Sequence, residues 1–402
     1  MLNTAGWILL GLPAVLVIYT YLGYPALLRL MRAGPAAGAV SRSSAPVVTV
    51  VVPAYNEEAQ IRGAIEALLA QDYDRECLQI LILSDASTDA TDGIVREYSG
   101  QGVELLRMPV RGGKTAAENA SCDLLRGDIV VNTDASIRLH PQAVGRLVDA
   151  MQDPRVGVAS TRDVSISRSD ASANATEAGY VGFEMRVRAL ETRTGGIVGA
   201  SGSGYAIRRS LHRLPVRADL SRDFSAALTA RTHGFSAVSV DDALAYVPRT
   251  TSLRAEYRRK VRTMARGMET LIFNRHLLNP RRYGLFAVKL LSHKVCRWLI
   301  PPAAVVAILG MLILSRDNAW AVIALAFSAV ALVGAWAGSR WPADRAMPRV
   351  LSLVSFAVAA NVAVLHAIIR VVHGHEDHLW EPTRRPSAVH DQTAGRSADT
   401  GS

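Results

Sequence analysis

The sequence predicts an α/β fold in which a mostly parallel sheet is flanked by membrane-spanning helices. Three apolar, β-like runs, at 47–53, 78–83 and 128–132, each stop at acidic or polar residues, and helical patterns separate them. Unbroken apolar runs are typical of strands buried on both faces, and the carboxyl ends of parallel strands meet at one ligand-binding edge. Strongly apolar segments also stand near both ends of the 402-residue chain, half of whose residues are hydrophobic.

The balance of charge narrows the classes of partner. Lys and Arg outnumber Asp and Glu by 45 to 35, which gives a formal net charge of +10. A basic chain suits anionic partners. The apolar segments favour a membrane surface as that partner. Nucleic acid is disfavoured, because the basic residues lack interleaved aromatic residues and no nucleic-acid motif appears. The three cysteines, Cys77, Cys122 and Cys296, have neither zinc-like nor disulfide-like spacing.

The first element is an apolar segment near the N-terminus. Residues 6–30 are almost wholly apolar and long enough to cross a bilayer core. A cleaved signal peptide is the alternative, but the run is long and no Lys or Arg precedes it. We predict a transmembrane helix within 1–32 and a linker rich in Gly, Ala, Ser and Pro over 33–46. The basic residues at and beyond the C-terminal end of the apolar run, which predict a cytoplasmic position for this end, are Arg29, Arg32 and Arg42.

The middle of the chain, 47–282, is predicted to be one α/β domain, because strand-like runs alternate with helical patterns. Apolar residues recur at helical spacing between 57 and 69 and predict a helix there. Two later apolar runs, 156–160 and 237–240, predict further strands of the same sheet.

The C-terminal third is apolar again. Residues 283–298 are amphipathic and basic, which suits a helix lying in the headgroup plane. Three runs that we interpret as membrane spans follow, at 299–314, 320–337 and 350–372. Together these segments occupy 283–373, and a polar tail occupies 374–402. The tail lies outside if all three runs cross, and inside if the last run only enters the membrane or the amphipathic segment crosses it.

Five short motifs punctuate the domain, and each follows a strand or opens a helix. They are Val-Pro-Ala-Tyr-Asn-Glu at 52–57, Ser-Asp-Ala-Ser-Thr-Asp at 84–89, Arg-Gly-Gly-Lys-Thr at 111–115, Thr-Asp-Ala-Ser at 133–136 and Ser-Arg-Asp-Phe at 221–224. In these motifs and their order, the chain resembles the membrane-bound family 2 glycosyltransferases of the GT-A fold, a group that includes bacterial polysaccharide synthases. The resemblance implies a GT-A domain with a Rossmann-like mixed sheet that is mostly parallel. It also implies Mg²⁺ or Mn²⁺ as cofactor.

The first two motifs are implied to hold the nucleotide. The resemblance puts Tyr55 near the base and Glu57 near the ribose, in a loop where a new helix N-terminus favours negative charge. Asp85 is implied to accept hydrogen bonds from uracil or another base. Helix capping is the alternative in both motifs, with Asn56 as the N-cap residue in the first. The residues implied to bind the nucleotide-sugar are Pro53, Ala54, Tyr55, Glu57, Asp85, Lys114, Asp134 and Arg262.

The next two motifs are implied to contact the diphosphate. The third is not a Walker A loop, because the first glycine of that pattern would fall at Met108. The resemblance puts Lys114 on the nucleotide side, and a plain glycine turn is the alternative. The fourth stands where family members carry two aspartates, so Asp134 and Ser136 are the implied ligands of a hard cation. The alternative is a strand-ending turn, and the single carboxylate argues against tight metal binding.

The acceptor side is implied by two further segments. A Gly- and Ser-rich run at 199–205, with Ser201 and Gly202, matches a loop that lies under the acceptor sugar in the family. Asp223 is the implied catalytic base, because displacement at an anomeric carbon needs a carboxylate within reach of the acceptor hydroxyl. Arg222 replaces the acid that usually precedes this base and is implied to lie on the acceptor side. A charge that caps a helix N-terminus is the alternative for Asp223.

Four arginines recur every four residues and therefore share one helix face: Arg254, Arg258, Arg262 and Arg266. Such a face could neutralise a departing diphosphate or contact anionic lipid, and a solvated basic face is the alternative. Family members often carry Gln-x-x-Arg-Trp here. This chain keeps Arg262 but has neither the Gln nor the Trp, which argues against long-chain polymerisation.

The resemblance implies an inverting glycosyltransferase of the inner membrane, with its catalytic domain in the cytoplasm. It would move a sugar from a nucleotide-sugar, with UDP as the expected carrier, to a lipid-linked or saccharide acceptor among membrane lipids, in cell-envelope or exopolysaccharide synthesis. Two alternatives stay open. One is a processive polysaccharide synthase with a channel through the spans. The other is a degenerate, non-catalytic membrane scaffold, which Ser136 and Arg222 favour.

Overall fold

The computed structural model describes residues 2–34, 45–166, 172–248, 253–342 and 347–374. Most of the linker predicted over 33–46, and nearly all of the tail predicted over 374–402, lies outside these described residues.

Within the described ranges, eight strands form one sheet. They are β1 Val48–Ala54, β2 Leu78–Ser84, β3 Val103–Arg107, β4 Ile129–Thr133, β5 Arg138–Leu139, β6 Val156–Ile166, β7 Gly204–Arg208 and β8 Ser236–Pro248, in the order β3-β2-β1-β4-β7-β6-β8-β5. The three apolar runs predicted as strands are β1, β2 and β4, which lie side by side and parallel. Antiparallel β7 joins β4 to β6. The prediction of a mixed, mostly parallel sheet is therefore confirmed.

The helices of the described residues lie between these strands and at both ends. They are α1 Leu2–Ile18, α2 Tyr24–Leu30, α3 Ile61–Leu69, α4 Thr91–Glu97, α5 Lys114–Ala120, α6 Ala143–Met151, α7 Ser172–Arg193, α8 Arg209–His212, α9 Arg222–Thr232, α10 Leu253–Phe273, α11 Pro280–Tyr283, α12 Leu285–Leu290, α13 Cys296–Leu314, α14 Ala319–Ser339 and α15 Arg349–Val372. The helix predicted from residue 57 begins only at Ile61, because Asn56 takes a left-handed backbone and turns the chain first. Gln60, rather than Asn56, occupies the N-cap position.

Both faces of the sheet are buried. Along β1, Val48, Val50 and Val52 contribute to one core and Val51 to the other, as the two-residue period of a strand requires. Helices α3 and α6 pack in the first core, and α5 and α9 pack in the second. Since helices cover the two faces, the carboxyl edge is where a ligand would contact the sheet. Three of the five motifs lie in the loops that follow β1, β2 and β4, the third follows β3 and opens α5, and the fifth opens α9.

Four helices among the described residues are long and apolar enough to cross a membrane: Asn3–Leu30, Leu285–Leu314, Ala319–Ser339 and Arg349–Val372. The second is longer than the predicted span at 299–314, because it also contains most of the segment predicted to lie in the headgroup plane. Lys289, in this segment, is buried, and its ammonium donates to three backbone carbonyl oxygens around the end of α7. The acceptors are those of Glu191, Thr194 and Gly196, at 2.9, 3.0 and 3.1 Å. The segment therefore packs against the domain and continues as a helix into the span.

Helix α10 connects the domain to the last candidate span, α15. Ala265 and Met268 of α10 pack with Ala367 of α15. Nearby, the Tyr257 hydroxyl lies 3.1 Å from His366 Nδ1. Another face of α10 reaches the carboxyl edge of the sheet, so that the same helix contacts a candidate span and the polar motifs.

Candidate active site

A cavity of about 370 Å³ lies at the carboxyl edge of the sheet. Its wall comes from the loops after β1 and β4, the starts of α5 and α9, the turn before β7 and one face of α10. The predicted site residues that line it are Glu57, Lys114, Asp134, Ser136, Ser201, Gly202, Arg222, Asp223 and Arg262. The other predicted residues, which belong to strand ends and loops adjoining this wall, are Pro53, Ala54, Tyr55 and Asp85.

The loops after β1 and β2 hold each other in place. Asn56 Oδ1 accepts a hydrogen bond from the Thr88 amide, and the Glu57 amide donates to Thr91 Oγ1, both at 2.8 Å. Asn56 and Ala86 both have left-handed backbones, with φ of 52° and 58°. Non-glycine residues keep such conformations where the surrounding structure fixes them. The first two motifs therefore form one preorganised unit beside the cavity.

Asp85 organises the glycine turn of the third motif. It is 2% exposed, and its two carboxylate oxygens accept hydrogen bonds from the Gly112 and Gly113 amides at 2.8 Å each. Each oxygen has a second lone pair, so Asp85 keeps capacity to accept from a base. The same turn carries Arg111, whose guanidinium carbon lies 3.8 Å from the centre of the Tyr55 ring. Tyr55 and Arg111 thus form a cation–π pair next to the Asp85 loop.

An ion pair occupies the fourth motif. Lys114 Nζ lies 2.5 Å from Asp134 Oδ1. Burial alone would lower the pKa of Lys114, but the charges of Asp134 and Glu118 outweigh burial and raise that pKa above its usual value. The side chain is therefore a cation at neutral pH. Ser136, two residues beyond Asp134, lines the same cavity, so the fourth motif contributes one carboxylate residue and one hydroxyl residue to its wall.

Asp223 lies in the first turn of α9 and faces the Gly- and Ser-rich turn. Its Oδ1 accepts a hydrogen bond from the Ser221 hydroxyl. A Cβ atom at Gly202 would lie 3.0 Å from Asp223 Oδ2, so glycine lets the turn approach the carboxylate closely. On the other side of this turn, the Ser201 hydroxyl lies 2.8 and 2.7 Å from the two Asp163 carboxylate oxygens. The turn is thus held between two carboxylates that both line the cavity.

Arg222 directs its guanidinium into the protein beneath the cavity. Its Nε lies 3.3 Å from Glu118 Oε2, and its other nitrogens donate to the Asn119 side chain and to the His212 carbonyl oxygen, the latter at 2.7 Å. Arg222, which the sequence predicts on the acceptor side, lines the cavity, but it is only 5% exposed and forms a buried ion pair. The pKa of Glu118 lies above its usual value, because burial raises it by more than the charges of Lys114 and Arg222 lower it. Burial and the Arg222 charge lower the pKa of His212 well below its usual value, so His212 is neutral.

Helix α10 gives the cavity a basic wall. The helix predicted from the arginine spacing is present, and the basic residues that line the cavity are Arg259, Lys260, Arg262 and Arg266. Arg259 pairs with Glu256 at 2.7 Å, and an Arg266 nitrogen donates to the Ala218 carbonyl oxygen at 3.3 Å. Of the four arginines predicted to share one helix face, Arg262 and Arg266 line the cavity, whereas Arg254 and Arg258 are not among its lining residues.

Three polar residues of this region were not assigned from the sequence. Glu118 lies four residues after Lys114 on α5, a spacing that already puts both on one helix face. Asp163 follows the apolar run predicted as a strand, because β6 extends to Ile166. Arg111 belongs to the third motif, but its partner Tyr55 belongs to the first. Of these three residues, only Glu118 could have been found from a local sequence signal, its spacing of four residues from Lys114.

A family model described as "Glycosyl transferase family 2" matches residues 49–214, which include four of the five motifs. The chain carries a family 2 glycosyltransferase domain. The resemblance predicted from the motifs is thereby confirmed. The fifth motif and all of α10 lie beyond the matched residues, so their roles rest on the geometry described above.

Curated relatives of this glycosyltransferase domain match over part of their length. An N-acetylglucosaminyltransferase of Mesorhizobium japonicum is 33% identical over 129 residues, which are 31% of this chain and 30% of that protein. A beta-monoglucosyldiacylglycerol synthase of Nostoc sp. is 29% identical over 179 residues, which are 42% of this chain and 37% of that protein. The matches thus span about a third of the length of these relatives.

One solved structure resembles nearly the whole chain. It is the mannosyltransferase PcManGT from Pyrobaculum calidifontis, in complex with GDP-Man and Mn²⁺. The TM-score is 0.69 at 19% sequence identity, over 94% of this chain and 100% of that one. The similarity confirms the predicted GT-A architecture with accompanying apolar helices.

Proposed function

We propose that the chain is an inverting glycosyltransferase that moves a sugar from a nucleotide-sugar to a membrane-associated acceptor. One observation carries the proposal: Asp134, Asp223 and a basic face of α10 line a single cavity at the carboxyl edge of a family 2 domain. Direct displacement of a nucleoside diphosphate requires a carboxylate that accepts the proton of the attacking hydroxyl. It also requires cations that stabilise the negative charge on the departing diphosphate.

The donor nucleotide is proposed to bind along the first three motifs. Tyr55 and Arg111 offer a planar surface for a base, and the Asp85 carboxylate accepts hydrogen bonds beside it. Uracil presents an N–H that suits such an acceptor, and UDP is the carrier that we propose. Glu57, at the cavity wall, is within the loop proposed to contact the ribose.

A divalent cation fits the fourth motif. Asp134 supplies carboxylate oxygens and Ser136 a hydroxyl, which are the donors that Mg²⁺ and Mn²⁺ prefer. The Lys114 ammonium already lies against Asp134, so a positive charge is accommodated there. A bound cation would stabilise charge on the leaving diphosphate, and Arg262 would add to it from α10.

Asp223 is proposed to accept the proton of the attacking hydroxyl. Its Oδ1 is oriented by the Ser221 hydroxyl, while Oδ2 faces Gly202 at the cavity wall. A hydroxyl held there would attack the anomeric carbon on the face opposite the diphosphate, which inverts its configuration. Asp163 fixes the Ser201 turn beside it and so shapes the acceptor side.

The acceptor is proposed to be a lipid-linked or saccharide molecule at the inner membrane, in cell-envelope or exopolysaccharide synthesis. Lys260 lines the cavity, and its ammonium lies 3.7 Å from the centre of the Phe356 ring in the last apolar helix. The cavity wall is therefore in contact with a candidate span, which supports entry of the acceptor from the membrane. Basic residues after the first span support a cytoplasmic domain.

The test uses the detergent-solubilised full chain, a panel of labelled nucleotide-sugars and native membrane lipids, with products identified by mass spectrometry. We expect one donor, carried by UDP, to give a product with a single added sugar. Chelation with EDTA should abolish transfer, and Mg²⁺ or Mn²⁺ should restore it. Failure of every donor would favour the scaffold alternative, and a ladder of long products would favour the processive synthase.

A further inference from the structure

The carboxylate proposed to hold the metal is already neutralised by the protein. The Lys114 and Asp134 side chains are only 18% and 27% exposed, and Lys114 Nζ lies 2.5 Å from Asp134 Oδ1. Ser136 stands where a second aspartate is expected, so Asp134 provides the only carboxylate of its motif. A divalent cation that approaches Asp134 therefore meets a resident positive charge.

The position of Lys114 in its helix makes this pairing specific. Lys114 is the first residue of α5, where the helix dipole disfavours a cation. Acidic side chains must therefore hold its ammonium there, and the two that act most strongly on it are Asp134 and Glu118. The pair with Asp134 is the one within hydrogen-bond distance.

Glu118 offers Lys114 a second acidic partner. It lies four residues further along α5, on the same helix face. The side chain is fully buried, and no described residue donates a hydrogen bond to either of its carboxylate oxygens. Its nearest cation is Arg222, whose Nε lies 3.3 Å from Oε2. A buried carboxylate with open acceptor positions is costly, and an approaching ammonium would lower that cost.

We propose that Lys114 is an exchangeable stand-in for the divalent cation, and this inference rests on the proposed function. Its ammonium neutralises Asp134 until a nucleoside diphosphate and a metal ion arrive together. Lys114 then leaves Asp134 and is received by the diphosphate oxygens and by Glu118. The metal alone must compete with Lys114, whereas the diphosphate gives Lys114 another anionic partner. Metal and nucleotide therefore bind cooperatively, and by linkage each strengthens the other by the same factor.

The test measures binding of Mn²⁺ to the detergent-solubilised full chain, with free Mn²⁺ read from its electron paramagnetic resonance signal, with and without UDP. Lys114→Met removes the stand-in. Arg126→Met is the matched control, because it removes the same charge from an exposed site before β4, at the opposite end of that strand from Asp134. We expect K114M to bind Mn²⁺ alone about tenfold more tightly than the unmodified chain, since a unit charge close to the metal is gone. R126M should stay within about threefold, because a distant exposed charge is screened.

The same titrations give a second readout. UDP should tighten Mn²⁺ binding to the unmodified chain by a larger factor than it does for K114M, because only the unmodified chain must move Lys114. Lys114→Gln is the second variant and should behave like K114M, and Asp134→Asn should remove the tightening in either background. Equal Mn²⁺ affinity in the unmodified chain and both Lys114 variants would overturn the inference. Absence of UDP binding with Mn²⁺ present would instead contradict the proposed function, since the Mn²⁺-only comparison needs no nucleotide.

Discussion

A single glycine sets the distance between the proposed base and the turn on the acceptor side. Gly202 lies against Asp223 Oδ2, and Oδ1 of the same carboxylate is held by the Ser221 hydroxyl. Asp163 holds the other side of the turn through Ser201. Contacts with Ser221 and with the Gly202 turn therefore hold the Asp223 carboxylate where it lines the cavity.

Gly202→Ala tests this arrangement at the smallest scale. The added Cβ would lie 3.0 Å from Asp223 Oδ2, so the carboxylate must shift by a few tenths of an ångström. We expect kcat to fall by about tenfold or more, because small displacements of a catalytic group are costly. The dissociation constant of UDP should be unchanged, since Tyr55, Asp85 and Arg111, which are proposed to hold the base, are fixed by contacts that do not involve this turn.

Gly93→Ala is the matched control for that substitution. No atom lies within 4 Å of a Cβ built at Gly93, which is an exposed helical residue. It should leave kcat unchanged and stabilise the chain slightly, by about 0.5 kcal/mol. Equal kcat in G202A and the unmodified enzyme would show that the turn does not constrain Asp223.

At the scale of elements, close helix crossings hold the apolar helices together. Helices α1 and α13 meet at Gly6 and Gly310, where a Cβ at Gly310 would lie 2.9 Å from both the Gly6 carbonyl oxygen and the Leu10 amide nitrogen. These are backbone atoms, which cannot give way as a flexible side chain can. Small residues at such crossings let two helices approach closely within a membrane.

Gly310→Val should therefore separate α1 from α13. We expect the Tm of the detergent-solubilised chain to fall by several degrees, as for a loss of about 2 kcal/mol. Gly11→Val is the matched control, because Gly11 is in the same pair of helices and no atom lies within 4 Å of its built Cβ. A G310V chain as stable as G11V would mean that this crossing contributes little.

The sequence predicts the buried strands well, but it does not predict contacts between residues that are far apart in the chain. The strands β1, β2 and β4 were predictable because their burial and their polar ends are local features of the chain. The start of α3 was not, because Asn56 turns the backbone through contacts with a second loop. Likewise, Lys289 has the composition of an interfacial residue, but its charge is satisfied by the carbonyl oxygens around the end of α7. In both cases, contacts with residues far away in the sequence determine the local structure.

The candidate site shows the same division. The motif order led to the residues that line the cavity, since each motif ends a strand or opens a helix on the same edge. It did not reveal that Lys114 pairs with Asp134, or that Arg222 turns inward to Glu118. These pairings join motifs that are separate in the sequence, and the direction of a side chain depends on which counter-charge the fold brings near.

On the scale of the whole molecule, buried polar contacts tie the domain to the apolar helices. His293 of the second apolar helix lies 2.7 Å from Glu191 and 2.9 Å from Glu184, both on α7. Tyr24 of the first apolar helix also donates to Glu191. Because α7 contributes Val181 to the cavity wall, these contacts fix the cavity relative to the candidate spans.

The most direct test of the account compares sugar transfer by Asp223→Asn and the unmodified full chain, with Asp241→Asn as an exposed carboxylate control. The amide keeps the shape of the side chain but cannot accept the proton of the acceptor. We expect D223N to lower kcat by about 10²–10⁴-fold, to leave UDP binding in the presence of Mn²⁺ within about threefold, and D241N to behave like the unmodified chain. Transfer by D223N at a rate near that of the unmodified enzyme would contradict the assignment of Asp223 as the base.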